Sequence, residues 1–378
     1  MKRSRNFARV IGIGVGIAGI TAGIVSCGGG GAGNSAPITK AQLGKDLFFD
    51  ASLSSPSGMS CATCHSPARA FTDPRPASTI TSEGVVKGLF GFRKAPSVMY
   101  MAYSPEFSVG TGEAGGAIGG QFWDGRAPDL QTQATFPMQN PIEMNGTITS
   151  VVKAVQTGPF AGALKQIYGP TIFSNTGNAF HSICDAIATF ERLPSFSPFT
   201  SKYDAFLKGT AQLAPAELRG LDVFNGKAGC AGCHTSSPAP DGTPPLFTNF
   251  CYANLGLPKN PKNPYYTIPA KFNPLGANFI DIGLQVTTNS PGDAGNFMTP
   301  TLRNVAVKSP FFHNGYFSTL AQVVHFYNTR DLGGFPAAEI PQTEDTTELG
   351  NLQLTTQEEA DVVSFLGTLT DGYSPPKP

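Results

Sequence analysis

The chain has 378 residues, room for two domains that each bury a core, which excludes a small scaffold held together by disulfides. Apolar residues make up 40% and charged residues 14%, with 44 glycines and 32 prolines, the composition of a loop-rich globular protein. Lys plus Arg and Asp plus Glu both come to 26, so no basic excess exists to hold a phosphate backbone, and nucleic acid is excluded as a partner class.

Lys2, Arg3, Arg5 and Arg9 precede an apolar stretch from Val10 to Val25, the layout of a secretory signal and shorter than the ~20 residues of a membrane span. It ends in Ile24-Val25-Ser26-Cys27, which resembles a bacterial lipoprotein processing site with Cys27 as the acylated residue. The plain alternative is ordinary signal cleavage nearby, with Cys27 incidental. Residues 1–27 are thus read as the signal and 28–37 as a Gly-rich tether. Either form of processing puts the mature chain in the periplasm, membrane-tethered if Cys27 carries lipid.

From Ile38 onward one pattern occurs twice. Ala41 to Asp50 (AQLGKDLFFD) leads to Cys61-Ala-Thr-Cys64-His65, and Ala216 to Asn225 (AELRGLDVFN) leads to Cys230-Ala-Gly-Cys233-His234. Each copy predicts a short amphipathic helix running into a Cys-x-x-Cys-His loop. In the second copy Leu218, Leu221 and Phe224 predict one buried stripe, with Gly226 as a stop. A helix from about Phe180 to Arg192 closes the first half and makes Cys184 a buried small hydrophobe. The boundary is placed near residue 200, giving domains 38–200 and 201–378. A last helix from about Thr356 to Leu369, capped by Thr355 or Thr356, turns Val362, Phe365, Leu366 and Leu369 inward. No segment alternates as a strand over any length, so the expected fold is mainly α, two cytochrome-c-like domains from an internal duplication.

Cys-x-x-Cys-His attaches c-type haem: two thiols form thioethers to the porphyrin, and the adjacent His is the proximal iron ligand. Two such motifs in an exported chain predict two covalent haems, held by Cys61, Cys64, His65 and by Cys230, Cys233, His234. A thioredoxin-like pair would want a βαβ context, and a zinc site would want paired Cys-x-x-Cys knuckles. The five histidines are at 65, 181, 234, 313 and 325, with none between His65 and His181. The first iron therefore lacks a nearby second histidine; Met99, Met101, Met138 and Met144 remain alternatives to an open position there.

These motifs, with Gln121 to Ala127 (QFWDGRA), Leu130, Gln133, Pro137, Asn140 to Met144 (NPIEM), Phe190-Glu-Arg192, Thr301 to Asn304 (TLRN), Pro310 to Gly315 (PFFHNG) and the segment from Leu354, resemble the bacterial di-haem cytochrome c peroxidase superfamily, including its MauG-like branch. The resemblance implies two haems facing a shared interface, the N-terminal one peroxide-reactive and the C-terminal one transferring electrons. It makes Trp123 the relay between the haems and Glu143 the distal acid/base, with Gln133 and Pro137 lining the same pocket. Trp123 could equally be a core aromatic, and Glu143 a solvated loop charge. The family's interdomain calcium is doubtful, because Lys94 stands where an Asn ligand is expected and an ammonium repels Ca²⁺.

Family spacing beyond Pro310 makes Tyr327 the second ligand of the C-terminal iron, with Met298 as the outside alternative. Periodicity agrees, since in a helix capped by Ser318 the residues Leu320, Val323, Val324 and Tyr327 share one face, and His325 points away. A phenolate favours oxidised iron. The expected function is peroxide reduction with electrons from a small cytochrome c or cupredoxin, or oxidation of a protein substrate in MauG-like fashion. The alternative is a non-catalytic electron-transfer cytochrome. Assembly is left open between monomer and homodimer.

Overall fold

The structure, a computed structural model, describes residues 37–75, 80–112 and 115–374. The signal, Cys27 and nearly all of the tether lie outside the described residues. Eleven α-helices occur among those described: α1 (Lys40–Phe48), α2 (Cys61–Cys64), α3 (Leu130–Gln139), α4 (Ile148–Thr157), α5 (Ala161–Tyr168), α6 (Thr176–Glu191), α7 (Lys202–Leu207), α8 (Pro215–Asn225), α9 (Gln285–Thr288), α10 (Leu320–Thr329) and α11 (Thr356–Gly367). Among the described residues, strands occur as two antiparallel pairs of two residues each, β1 (Ser108–Val109) with β2 (Ala117–Ile118), and β3 (Tyr252–Ala253) with β4 (Phe297–Met298). The fold is mainly α, as expected. No described helix is long and apolar enough to cross a membrane.

Two helix pairs carry the two cores. Helix α1 crosses α6 at Gly44, where an added Cβ would lie 1.8 Å from the Ala186 carbonyl oxygen; α8 crosses α11 at Gly220, where it would lie 1.9 Å from that of Asp361. The same close approach therefore needs glycine in both halves. Around the first crossing Leu43, Leu47, Phe48, Phe180, Ile183 and Cys184 are buried; around the second, Phe224, Val362, Phe365 and Leu369. Each such side chain contributes about 1.5–3 kcal/mol by leaving water, before the cost of ordering it.

Three details differ from the sequence reading. Leu218 is 40% exposed, because the face of α8 that meets α11 is centred on Gly220 and Phe224. The residue that allows close approach is the one without a side chain, which a search for apolar periodicity overlooks. Helix α6 starts earlier, at Thr176, since the Asn175 side chain accepts from the Asn178 amide. The cap of α10 is Thr319 rather than Ser318; the Thr319 hydroxyl accepts from the Gln322 amide, and Gln322 reaches back to both residues.

From Ile38 onward the chain packs as one compact unit. Contacts between its halves include Arg93 to Asp281 at 2.6 Å, Tyr100 to Asp371 at 2.8 Å, the Lys94 amide to the His313 carbonyl at 2.7 Å, and the Met298 amide to the Trp123 carbonyl at 2.9 Å. Arg303, wholly buried, forks onto Asp204 with two bonds of 2.8 Å, so its charge is compensated where it sits.

Candidate functional site

Each Cys-x-x-Cys-His motif borders its own cavity. Cys61, Cys64 and His65 line one, and Cys230, Cys233 and His234 line the other. His65 Nδ1 lies 3.1 Å from the Phe71 carbonyl oxygen, and His234 Nδ1 lies 2.8 Å from that of Phe247. A backbone carbonyl holding the Nδ1 proton leaves Nε2 as the lone-pair nitrogen, the tautomer an iron ligand requires. Burial lowers both imidazole pKa values, that of His234 to about 4, so both rings are neutral at physiological pH. Burial also pushes the Cys64 thiol up to about 11 and the Cys230 thiol up to about 12. Neutral thiols beside a carbonyl-oriented imidazole in a largely apolar cavity fit haem c at both places.

Each cavity is also lined by a turn-and-helix unit that occurs twice. Gln121 bridges to Ala127 across a turn with Phe122 and Gly125 at positive φ; Phe311 bridges to Phe317 across a turn with Phe312 and Gly315 at positive φ. Each turn delivers a side-chain-capped helix, α3 from Asp129 and α10 from Thr319. Counting from the caps, the fourth residue is Gln133 or Val323 and the eighth is Pro137 or Tyr327. All four line the cavity of their own half. Tyr327 thus shares a cavity with His234 and with Leu320, Val323 and Val324. In the first cavity the place of Tyr327 belongs to a proline.

The first cavity has its own polar equipment. After α3 the chain turns at Asn140, whose side-chain amide donates to Glu143 Oε1 at 2.9 Å. Burial raises the Glu143 pKa above the ordinary carboxylate value, against the opposing pull of Arg126 and Asn140. Glu191, named in the sequence reading only as part of a motif, lines this cavity too. Its Oε2 is buried without a hydrogen-bond partner, and burial pushes its pKa up to about 8. A signal for it was present: Phe190 and Phe365 both pack at a helix crossing, and the next residue is Glu191 in one half and Leu366 in the other.

Trp123 is the one described residue that lines both cavities. Its indole N–H donates to the Lys94 carbonyl at 2.9 Å, and its ring meets His313 edge-on at a centroid distance of 6.4 Å. A π system fixed at its polar end and touching both cavities is placed to couple them.

A family profile described as di-haem cytochrome c peroxidase matches residues 38–212. The methylamine utilization protein MauG of Paracoccus denitrificans is 37% identical over 352 residues, covering 88% of each chain. The chain belongs to the di-haem cytochrome c peroxidase family. The cytochrome c551 peroxidase of Nitrosomonas europaea is 31% identical over 87% of this chain and 79% of its own. Among solved structures, the diheme peroxidase BthA of Burkholderia thailandensis superposes with a TM-score of 0.76 at 33% identity, covering 88% of this chain and 86% of that one.

The remaining candidates sit in different surroundings. Met298 is buried, lines the C-terminal cavity and packs with Met101, Leu130 and Phe250. Met101, Met138 and Met144 line the N-terminal cavity, and the last two are 1% and 2% exposed within core packing. Met99 is turned to Asn304, whose amide donates to its sulfur at 3.5 Å. His181 is exposed on α6. His325 is exposed and pairs with Glu359 at 3.0 Å. At the place expected for calcium, the Lys94 amine is buried and donates to the Lys308 carbonyl. Burial, the Lys308 amine and Arg69 lower the Lys94 pKa to about 7, and burial does the same to Lys308. Two buried amines do not fit a divalent cation, which requires oxygen ligands.

Proposed function

We propose that the protein is a di-haem peroxidase, reducing hydrogen peroxide at the N-terminal cavity with electrons drawn through the C-terminal cavity from a small cytochrome c or cupredoxin. One observation carries the reading: Pro137 occupies the position in the first cavity that Tyr327 occupies in the second. A proline side chain has no atom to offer a metal, so this position cannot supply the second ligand that Tyr327 would supply in the other cavity, which favours an iron open to a small oxidant.

Cys61, Cys64 and His65 would hold one haem, and Cys230, Cys233, His234 and Tyr327 the other. When bound, the first haem supplies an iron at which peroxide is reduced, and the second supplies a store for an oxidising equivalent. Glu143 takes the proton from the inner peroxide oxygen and returns it to the outer one, which leaves as water. Gln133 offers an amide to the same space. Trp123 passes electrons between the cavities. Burial raises the Tyr327 pKa, so a metal cation would be needed to draw its proton off. An oxygen ligand there stabilises oxidised iron, and this favours a second reading in which the electron source is a protein side chain. Export to the periplasm, with tethering through Cys27, completes the proposal.

The test is stopped-flow mixing of the oxidised holoprotein with hydrogen peroxide, followed by a reduced small cytochrome c. Immediate reaction without prior reduction is expected. Two low-spin, doubly ligated haems at rest and no turnover would instead identify an electron-transfer cytochrome.

A further inference from the structure

Glu143 faces two spaces. It lines the N-terminal haem cavity and also a separate, open cavity of about 680 Å³ on the outside of the molecule. Phe92, Phe122 and Arg126 line both as well, so the two spaces share one wall. The outer space is far larger than hydrogen peroxide requires, since a water-sized molecule needs only about 10–15 Å³ of such volume. It falls instead in the range of small-molecule sites, ~300–1,000 Å³.

Its lining has the wrong chemistry for a passage serving only peroxide and water. Phe136 from α3 is 39% exposed, Ile280 47% and Val286 57%, and all three meet in this one cavity. The Phe122 and Phe136 rings stand edge to face at 5.5 Å, with the Arg126 guanidinium 3.6 Å above Phe122. The arginine charges here are spent locally: Arg126 pairs with Asp124 at 2.9 Å, and Arg93 with Asp124 and Asp281 at 2.6 Å. What remains is an apolar, charge-compensated vestibule whose polar end is Glu143 with Asn140.

We propose that this vestibule binds the organic part of neutral alkyl and aryl hydroperoxides and presents their O–O group at Glu143, so that these compounds are substrates beside hydrogen peroxide. The proposal rests on the peroxidase reading above. The reaction is ROOH + 2 e⁻ + 2 H⁺ → ROH + H₂O. The O–O bond breaks, the oxygen attached to carbon gains a proton and leaves as the alcohol, and the terminal oxygen leaves as water. Two equivalents of a reduced one-electron redox protein supply the electrons, and solvent supplies the protons through Glu143.

The experiment compares cumene hydroperoxide with hydrogen peroxide on the holoprotein, using a reduced small cytochrome c as donor. Calorimetry with 2-phenyl-2-propanol, the alcohol product, reads the vestibule without any turnover. The variant is Ile280→Ser with Val286→Ser, two exposed positions whose change leaves the core intact. Wild-type protein should turn over both peroxides and bind the alcohol. In the variant KM for cumene hydroperoxide should rise about tenfold with kcat nearly unchanged, as expected for lost uniform binding. Alcohol binding should weaken in parallel, and the hydrogen peroxide reaction should stay within about twofold of wild type. Wild-type turnover of hydrogen peroxide without cumene hydroperoxide turnover or alcohol binding would overturn the proposal. Equal loss with both peroxides would also overturn it, and would mark the groove as the docking surface of the electron donor. Turnover of neither peroxide would remove the peroxidase reading itself.

Discussion

In the N-terminal cavity Gln133, Pro137 and Glu143 share the lining with His65; in the C-terminal cavity Val323, Val324 and Tyr327 of α10 share it with His234. The supports are alike in both: an imidazole held by a backbone carbonyl, a turn with phenylalanine and glycine at positive φ, a capped helix, and a helix crossing that only glycine permits. Paired positions differ, among them Gln133 and Val323, Pro137 and Tyr327, Glu191 and Leu366, and Trp123 and His313. The last pair is instructive. Trp123 satisfies its N–H on the Lys94 carbonyl, whereas His313 stacks on Phe297 at 3.5 Å with Nε2 buried and unpartnered. One backbone frame thus carries two different sets of side chains, and on the function proposed above these few equivalent places are what would separate a peroxide-handling half from an electron-handling half.

The largest expected effect comes from removing the carboxyl of Glu143 from the first cavity. Glu143→Gln should slow peroxide consumption by ~10²-fold or more while both haems stay attached, as a pyridine haemochrome assay would show, because a positioned acid/base is worth 10²–10⁴. A smaller loss would mean that the two cavities do not differ in proton handling. Next, Tyr327→Phe should abolish the low-spin signal of one haem in the resting electron paramagnetic spectrum, leaving the C-terminal haem as open as its partner. If Met298→Ala does this and Tyr327→Phe does not, the pairing of Pro137 with Tyr327 is not what separates the halves. Trp123→Phe should slow electron transfer between the cavities in flash-reduction experiments without weakening peroxide binding, the converse of the Glu143 variant.

The smallest effect concerns Glu191 and is read in stability. In the unfolded chain its carboxyl ionises near its ordinary pKa of 4.5, but in the folded cavity it keeps its proton up to about 8. Between those values the unfolded state binds fewer protons, so this group makes stability fall as pH rises through the window. Glu191→Gln, or Glu191→Leu with the residue of the other half, should flatten that fall by at least about 1 kcal/mol in guanidinium titrations at pH 5 and pH 8. An unchanged slope would show the two cavities to be electrostatically equivalent at this position.

The haem-attachment motifs, the mainly helical fold, the inward stripe of α11 and the common face of Leu320, Val323, Val324 and Tyr327 were all legible in the sequence. Local chemistry dictates them: a covalent motif is contiguous, and one helix face obeys a 3.6-residue period. The sequence also held the register that pairs Pro137 with Tyr327, but its meaning depends on both helices entering their cavities in the same orientation. Gly220, rather than Leu218, marking the buried face of α8 was decided by a carbonyl of α11 far along the chain. The placement of Trp123 against both cavities, the burial that shifts Glu143 and Glu191, and the amines of Lys94 and Lys308 at the junction of the halves were settled by tertiary packing alone. Desolvation and close approach between distant segments have no period and no motif, so they come into existence only when the chain has folded.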